Sequence, residues 1–328
     1  MADPTPASRR RSGESPVHVF WETKLAFDFM RWRQLTLMLS TLLIVASLTL
    51  LGVRGLNFGL DFTGGTLVEV NFPDAADPQT VRLGLEAQGY GDLVVQNFGT
   101  ARDVLVRVPP DVVGETATVG DVILAALRAD YGDQVALRRS EFVGPAVGEE
   151  LREQGGLAML AALSLVMVYI MFRFQFKFAI GALLALVHDV LIVLGFFSIF
   201  YIGFNLTVLA AILAVIGYSL NDTIVVSDRI RENYRRKRKS DNVDVINRSL
   251  NQMLGRTLIT SLTTLLVLFA LLILGGDFIQ NFAIALICGV IVGTYSSIYV
   301  LCNNLILMNL NFEDLAIKKS ETYDDGMP

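Results

Sequence analysis

Apolar runs long enough to cross a bilayer recur six times along the chain, at residues 35–53, 156–172, 178–200, 206–226, 258–274 and 282–307. About 20 helical residues span a hydrocarbon core, so each run predicts a membrane helix. Between the first and second runs lies a stretch of about 100 residues that alternates apolar and polar positions, as a small water-exposed domain does. Its pattern predicts a strand at 66–72, a helix at 78–88, strands at 93–98 and 104–108 joined through Gly99 and Asp103, a helix at 119–131 and a strand at 135–142. That order, βαββαβ, is the ferredoxin-like arrangement, in which two helices cover one face of a sheet. The expected fold class is therefore a polytopic α-helical membrane protein of six transmembrane helices carrying a small α+β periplasmic domain.

A second amphipathic signal falls between the fourth and fifth runs. Val243, Ile246, Leu250, Met253 and Leu254 recur at helical spacing opposite Asp244, Arg248 and Gln252, which fits either a helix lying in the membrane interface or one docked on the ends of other helices. In the sixth run Ala285, Gly289, Gly293 and Ser297 form a small-residue row that lets another helix approach closely.

Composition supports the membrane reading, since 53% of residues are apolar and the mean hydropathy is +0.51. A net charge of −5 gives no global attraction to nucleic acid. Arg31 and Arg33, Arg173 and Lys177, and the basic stretch Arg229 to Lys239 fall on one side of the membrane if six helices are counted, which places both termini in the cytosol. The expected organisation is a tail and membrane approach at 1–34, a first helix at 35–53, an outward domain at 54–152, helices two to six at 153–309 with a cytosolic amphipathic loop at 228–256, and a cytosolic tail at 310–328. Arg9, Arg10 and Arg11 stand too far upstream of Leu35 to act as a normal cleaved signal.

The only cysteines, Cys288 and Cys302, share the last apolar run, which leaves neither a disulfide framework nor a Cys/His metal site. Gly217-Tyr218-Ser219 lacks the second glycine of a nucleophile elbow. The glycine-rich 61–66 stretch lacks the lysine and length of a phosphate-binding loop. No hydrolase chemistry and no cofactor are expected.

Asp222 is the residue that most invites a functional reading, because a carboxylate inside an apolar run is costly and marks a site by default. It lies about 10 Å inside the fourth helix at 1.5 Å per residue, with Tyr218 and Ser219 one turn earlier on its face. The fifth helix opens with Arg256, followed on one face by Thr260 and Thr264, so Asp222 and Arg256 can meet at similar depth. Three readings stay open: a proton switch whose charge follows the distance between acid and guanidinium, a fixed ion pair, or a carboxylate that reaches the interface. His188 and Asp189 form a second intramembrane pair, read first as structural hydrogen bonding and second as an extension of a proton path.

Asp61 with Gly64 and Gly65 just after the first helix, Gly144, Pro145 and Gly148 before the second, His188-Asp189, and the stretch from Gly217 through Asp222 to Asn233 closely resemble the SecD/SecF family of bacterial protein-export membrane subunits. The resemblance runs from about Trp21 to Asn311. It implies membership of the resistance-nodulation-division superfamily, a complex with SecD, with YajC as a further companion, and assistance to the SecYEG channel in moving unfolded polypeptide outward at the expense of the proton-motive force. By motif position it casts Asp222 as the proton-pathway aspartate and Arg256 as its essential arginine. With six helices and one outward domain the chain represents half of the superfamily's pseudo-symmetric unit, so SecD would supply the other half. Gly64, Gly65, Gly144 and Gly148 around Pro145 read either as a hinge at the domain base or as tight backbone packing. A small-molecule or lipid exporter of the same superfamily and a passive membrane scaffold are the competing functional readings.

Overall fold

The computed structural model describes residues 27–110, 119–236 and 241–310. The tail residues 1–26 and 311–328, the arginine triplet and the basic residues 237–239 lie outside them. Six helices among the described residues are long and apolar enough to cross a membrane. The first follows a 3-10 turn, Phe29–Trp32, and is α1, Arg33–Val53. The others are α5, Pro145–Arg173, α6, Phe176–Phe200, α7, Leu206–Arg236, α8, Asn242–Leu274, and a final helix whose first part is α9, Asp277–Tyr295. That last helix passes through a π-helical turn, Ser296–Val300, into α10, Leu301–Leu307.

Half or more of the apolar windows of α6 and α7 are buried (50% and 56%), against 11–17% in α1, α5 and α8. The first two are thus the core of the bundle, and the other three turn most of their surface to lipid or to another protein. The small-residue row does what its spacing suggests. A Cβ on Gly289 would come within 2.1 Å of Val215 on α7, and one on Gly293 within 3.1 Å of Ser219, so α9 lies directly against α7.

Between α1 and α5 the chain forms β1, Asn57–Phe58, a one-turn helix α2, Leu60–Thr63, then β2, Gly65–Asn71, α3, Pro78–Ala87, β3, Val94–Phe98, β4, Thr100–Val108, α4, Val119–Tyr131, and β5, Ala136–Val143. From β2 onward this is the expected βαββαβ order. The sheet runs β3-β4-β2-β5 with all neighbours antiparallel. Val68, Val70, Val104 and Val106 of one sheet face meet Val81 and Leu85 of α3 and Ile123 and Leu127 of α4, all fully or almost fully buried. Each such side chain stabilises the domain by about 1.5–3 kcal/mol relative to exposure. Asp77 caps α3 by accepting from the Thr80 amide (3.0 Å) and hydroxyl (2.7 Å), with Pro78 in the first turn. These hydrogen bonds hold the Asp77 carboxyl below its ordinary value.

Two details depart from the sequence pattern. Strand β4 starts at Thr100 rather than Val104, because Gly99 takes φ +71° and reverses the chain in one tight turn. Asn57 and Phe58 pair in parallel with β6, Gly203–Phe204, in the α6–α7 connection. Two-residue strands leave no periodic signal.

Helix α7 has 31 residues, roughly 46 Å at 1.5 Å per residue against a hydrocarbon core of about 30 Å. Its end therefore projects from the membrane beside the start of α8. Residues 228–256, expected as an amphipathic loop, are in the described part the last turns of α7 and the first turns of α8. Asn233 donates to Ser249 and to Gln252 (2.8 Å each), and Ile230, Val245, Ile246 and Leu250 are buried in the hairpin. The apolar stripe of 242–258 is thus spent on a neighbouring helix instead of the membrane interface. Asn251 exchanges two 2.8 Å hydrogen bonds with the backbone of Phe27 and fastens the approach to α1 there.

Candidate functional site: two intramembrane carboxylates and the base of the sheet domain

Asp222 sits in the central helix α7 and is 7% exposed. Its carboxylate accepts from Thr257 of α8 at 3.3 Å and from Ser297 of the π turn at 3.2 Å, both at the long end of hydrogen-bonding distance. One turn earlier Tyr218 donates to Ser261 at 3.4 Å, and Ser261 bonds to Thr294 at 2.6 Å. The acid is therefore buried among hydroxyls, with one long contact from α8 and one from the π turn.

The Asp189 carboxylate, on α6, has a different shell. It accepts from Ser219 at 2.5 Å and Ser296 at 2.7 Å, and His188 Nδ1 lies 2.9 Å away. His188 and Asp189 are each 1% exposed, and His188 Nε2 is buried without a hydrogen-bond partner among the described residues. The His188 ring stacks on Tyr295, whose hydroxyl donates to the Thr36 carbonyl of α1 at 2.9 Å. The consecutive serines 296 and 297 thus reach different acids. The wider π turn allows this at a helix contact, and such turns cluster at functional sites.

The expected meeting of Asp222 with Arg256 is not a salt bridge. Among the described residues Arg256 makes no ion pair; it is exposed, one position before Thr257 and so about 100° around α8 from the face that meets Asp222. Thr260 and Thr264 donate back to carbonyls of α8 itself. They form an outward polar stripe with Arg256 and do not line the Asp222 site. The residues that do, Thr257, Ser261 and Ser297, were missed as site residues, although Ser297 belongs to the small-residue row. Their signal was the i+4 step from Thr257 to Ser261, which gives the inward polar face of α8. Among the described residues no three His, Cys, Asp or Glu side chains gather as a metal-holding group.

The glycine motif lies at the other end of α7. Asp61 Oδ2 accepts from the backbone amide of Leu206, the first residue of α7, at 2.9 Å. Gly64 and Gly65 adopt φ +66° and +110°, and a Cβ on them would come within 2.8 Å of Pro145 and 2.4 Å of the Val108 carbonyl. Gly148, buried in the first turn of α5, faces the Gly64 amide so closely that a Cβ would stand 2.7 Å from it. Gly144 caps α5 ahead of Pro145 and has open space around it. At Gly64, Gly65 and Gly148 the glycines serve close backbone approach.

The family model described as protein export membrane protein SecD/SecF, C-terminal, matches residues 123–311, and the SecD/SecF GG motif matches residues 49–72. The chain belongs to the SecD/SecF protein-export membrane family. Relatives in that family include the protein translocase subunit SecF of Vibrio alginolyticus, 49% identical over 92% of this chain and 96% of its own, and that of Pseudomonas aeruginosa, 52% identical over 92% and 97%. The crystal structure of SecDF from Thermus thermophilus, a translocon-associated membrane protein, superposes with a TM-score of 0.80 at 38% identity over 88% of this chain. This SecD/SecF chain spans 39% of that SecDF chain. The glycine-motif match covers Asp61, Gly64 and Gly65, and the longer match covers both intramembrane acids.

Proposed function

We propose that the chain is a SecF-type subunit of the bacterial cytoplasmic membrane that pairs with a SecD-type subunit and helps a SecYEG channel export unfolded polypeptide, driven by protons. The sheet domain stands outside the membrane in this reading and both termini are cytosolic. The carrying observation is Asp222, buried in the central helix of a SecD/SecF bundle and hydrogen-bonded, among the described residues, by long hydroxyl contacts from α8 and the π turn. Among the described residues Asp222 makes no ion pair, so protonation changes its hydrogen bonds without breaking a salt bridge. Neutral, it donates as well as accepts, so Thr257 and Ser297 must reorient. Arg256, Thr260 and Thr264 face outward, and a SecD-type partner that covers α8 would bring its own polar groups to that stripe. Each proton entering along a potential of 100 mV yields about 2.3 kcal/mol, so a few suffice to repack helices.

His188 and Asp189 support this site by pinning α6, α7 and the π turn together through Ser219 and Ser296; an extension of the proton path through them is the second reading, favoured by the unpartnered His188 Nε2. The chain acts without hydrolysis and without a bound cofactor, and YajC is a further companion of the pair. The deciding experiment is export by vesicles that hold this chain with SecD and SecYEG, with and without a proton gradient. Asp222→Asn and Arg256→Ala should still assemble with SecD and lose gradient-dependent export. Full gradient-dependent export by both variants refutes the proton reading; polypeptide export without any gradient dependence favours a scaffold, and transport of lipid without polypeptide an exporter.

A further inference from the structure

The base of the sheet domain is built without slack, and its parts converge on the start of α7. The Gly59 amide donates to the Phe204 carbonyl at 2.7 Å, Ser198 donates to the Gly55 carbonyl at 2.7 Å, and Arg54 to that of Ile199 at 2.8 Å. Phe62 lies 5.8 Å from Phe58 and 5.9 Å from Phe204, centroid to centroid, in a knot that Phe197 completes. From above, Arg107 of β4 donates to the Phe58 carbonyl, and its half-buried guanidinium is pushed below its ordinary value by desolvation. From the side, Gly148 of α5 presses on Gly64.

Beside this knot the half-buried Asp61 accepts directly from the first amide of α7. A carboxylate at a helix N-terminus gains from both the free amides and the helix dipole. Asn205 already caps α7 locally, accepting from Val208 at 3.0 Å, so the reach of Asp61 across 145 positions is more than α7 needs to begin.

Building on the proton-driven reading above, we infer that Asp61 is a positioning residue that fastens the sheet domain to the start of α7, so that displacement of the helix carrying Asp222 is delivered to the domain instead of being lost at its base. Asp222 lies sixteen residues down the same unbroken helix, roughly 24 Å away. The glycine motif is then a clamp, and the domain moves as one body with the α6–α7 end of the bundle.

The test uses this chain in complex with its SecD-type partner in vesicles, with Asp222→Asn alongside. Asp61→Ala removes the acceptor, whereas Asp61→Asn keeps a neutral one. Gradient-dependent export should fall about tenfold in Asp61→Ala, the scale of one charge-assisted hydrogen bond, with proton flux within about twofold of the original, and Asp61→Asn should recover most of the loss. Spin labels on Ala101→Cys in the domain and Ala210→Cys on α7, both exposed, should give a broader distance distribution in Asp61→Ala. Unchanged export in Asp61→Ala, or export and proton flux falling together, overturns the inference. If Asp222→Asn exports normally, the proton reading fails instead, and the label distances decide the clamp by themselves: an unchanged distribution sinks it, a broadened one sustains it.

Discussion

Asp189 and Asp222 are the same residue type, both buried in one helical bundle, and their shells differ in kind. Asp189 has three close partners at 2.5–2.9 Å, whereas Asp222 has two at 3.2–3.3 Å. Burial makes each carboxylate costly, and the close shell of Asp189 offsets that cost and locks three helices together. The loose shell of Asp222 leaves the acid open to a change of state. Intramembrane charge by itself does not distinguish a fixture from a switch; the partners do.

The comparison breaks most visibly in function. Asp222→Asn should abolish gradient-dependent export while the pair with SecD still purifies intact, and a variant that exports normally under a gradient would make Asp222 a second fixture. Next in size, Asp189→Ala should destabilise the complex by about 3–5 kcal/mol, because it strands His188, Ser219 and Ser296 without their acceptor. Asp222→Ala should lose about 1–2 kcal/mol. Thermal unfolding of the purified complexes measures both, and equal losses would erase the distinction. Gly289→Ala should cost about 1–3 kcal/mol, since its new methyl meets Val215 at 2.1 Å and drives α9 away from α7. If thermal unfolding is unmoved, the close α7–α9 contact that brings Ser296 and Ser297 to the two acids is not rigid.

The smallest effect contrasts these intramembrane acids with a half-buried one in the sheet domain. Hydrogen bonds from Thr100 and then Asn71, both 2.6 Å, hold the Asp103 carboxyl in the sheet domain below its ordinary value. A carboxyl lowered on folding stabilises above its unfolded value near 3.9, and that contribution fades as pH falls through the folded value. Asp103→Asn should therefore flatten the acid limb of stability below about pH 4 by less than 1 kcal/mol, read by domain melting between pH 3 and 6. An acid limb identical to that of the parent would show that Asp103 contributes nothing.

Much of this molecule was legible in its sequence. Long apolar runs need no tertiary context to predict helices, because the bilayer demands that each helix satisfy its own backbone. The alternation from Thr66 to Phe142 likewise carries the βαββαβ order, since Val68, Val70, Val104 and Val106 must share one face. The close α7–α9 contact was visible in Gly289 and Gly293. Less legible was where polar side chains point. Arg256 and Thr257 are adjacent in sequence, and only the rotation of α8 turns the threonine to Asp222 and the arginine outward. The glycine motif read equally as hinge or packing, because positive φ suits both; the Pro145 and Val108 atoms that crowd Gly64 and Gly65 come from residues distant in sequence.

Six membrane crossings, a small sheet domain after the first and two acids where acids are expensive can all be read from the order of residues. Those conclusions follow from hydropathy and period, which are properties of local segments. Packing settles the rest: Asp189 is tied and Asp222 loosely held, the exposed Arg256 makes no ion pair among the described residues, and Asp61 reaches the first amide of α7. Each of those depends on hydrogen bonds whose strength changes over tenths of an ångström, between atoms brought together only when separate helices pack.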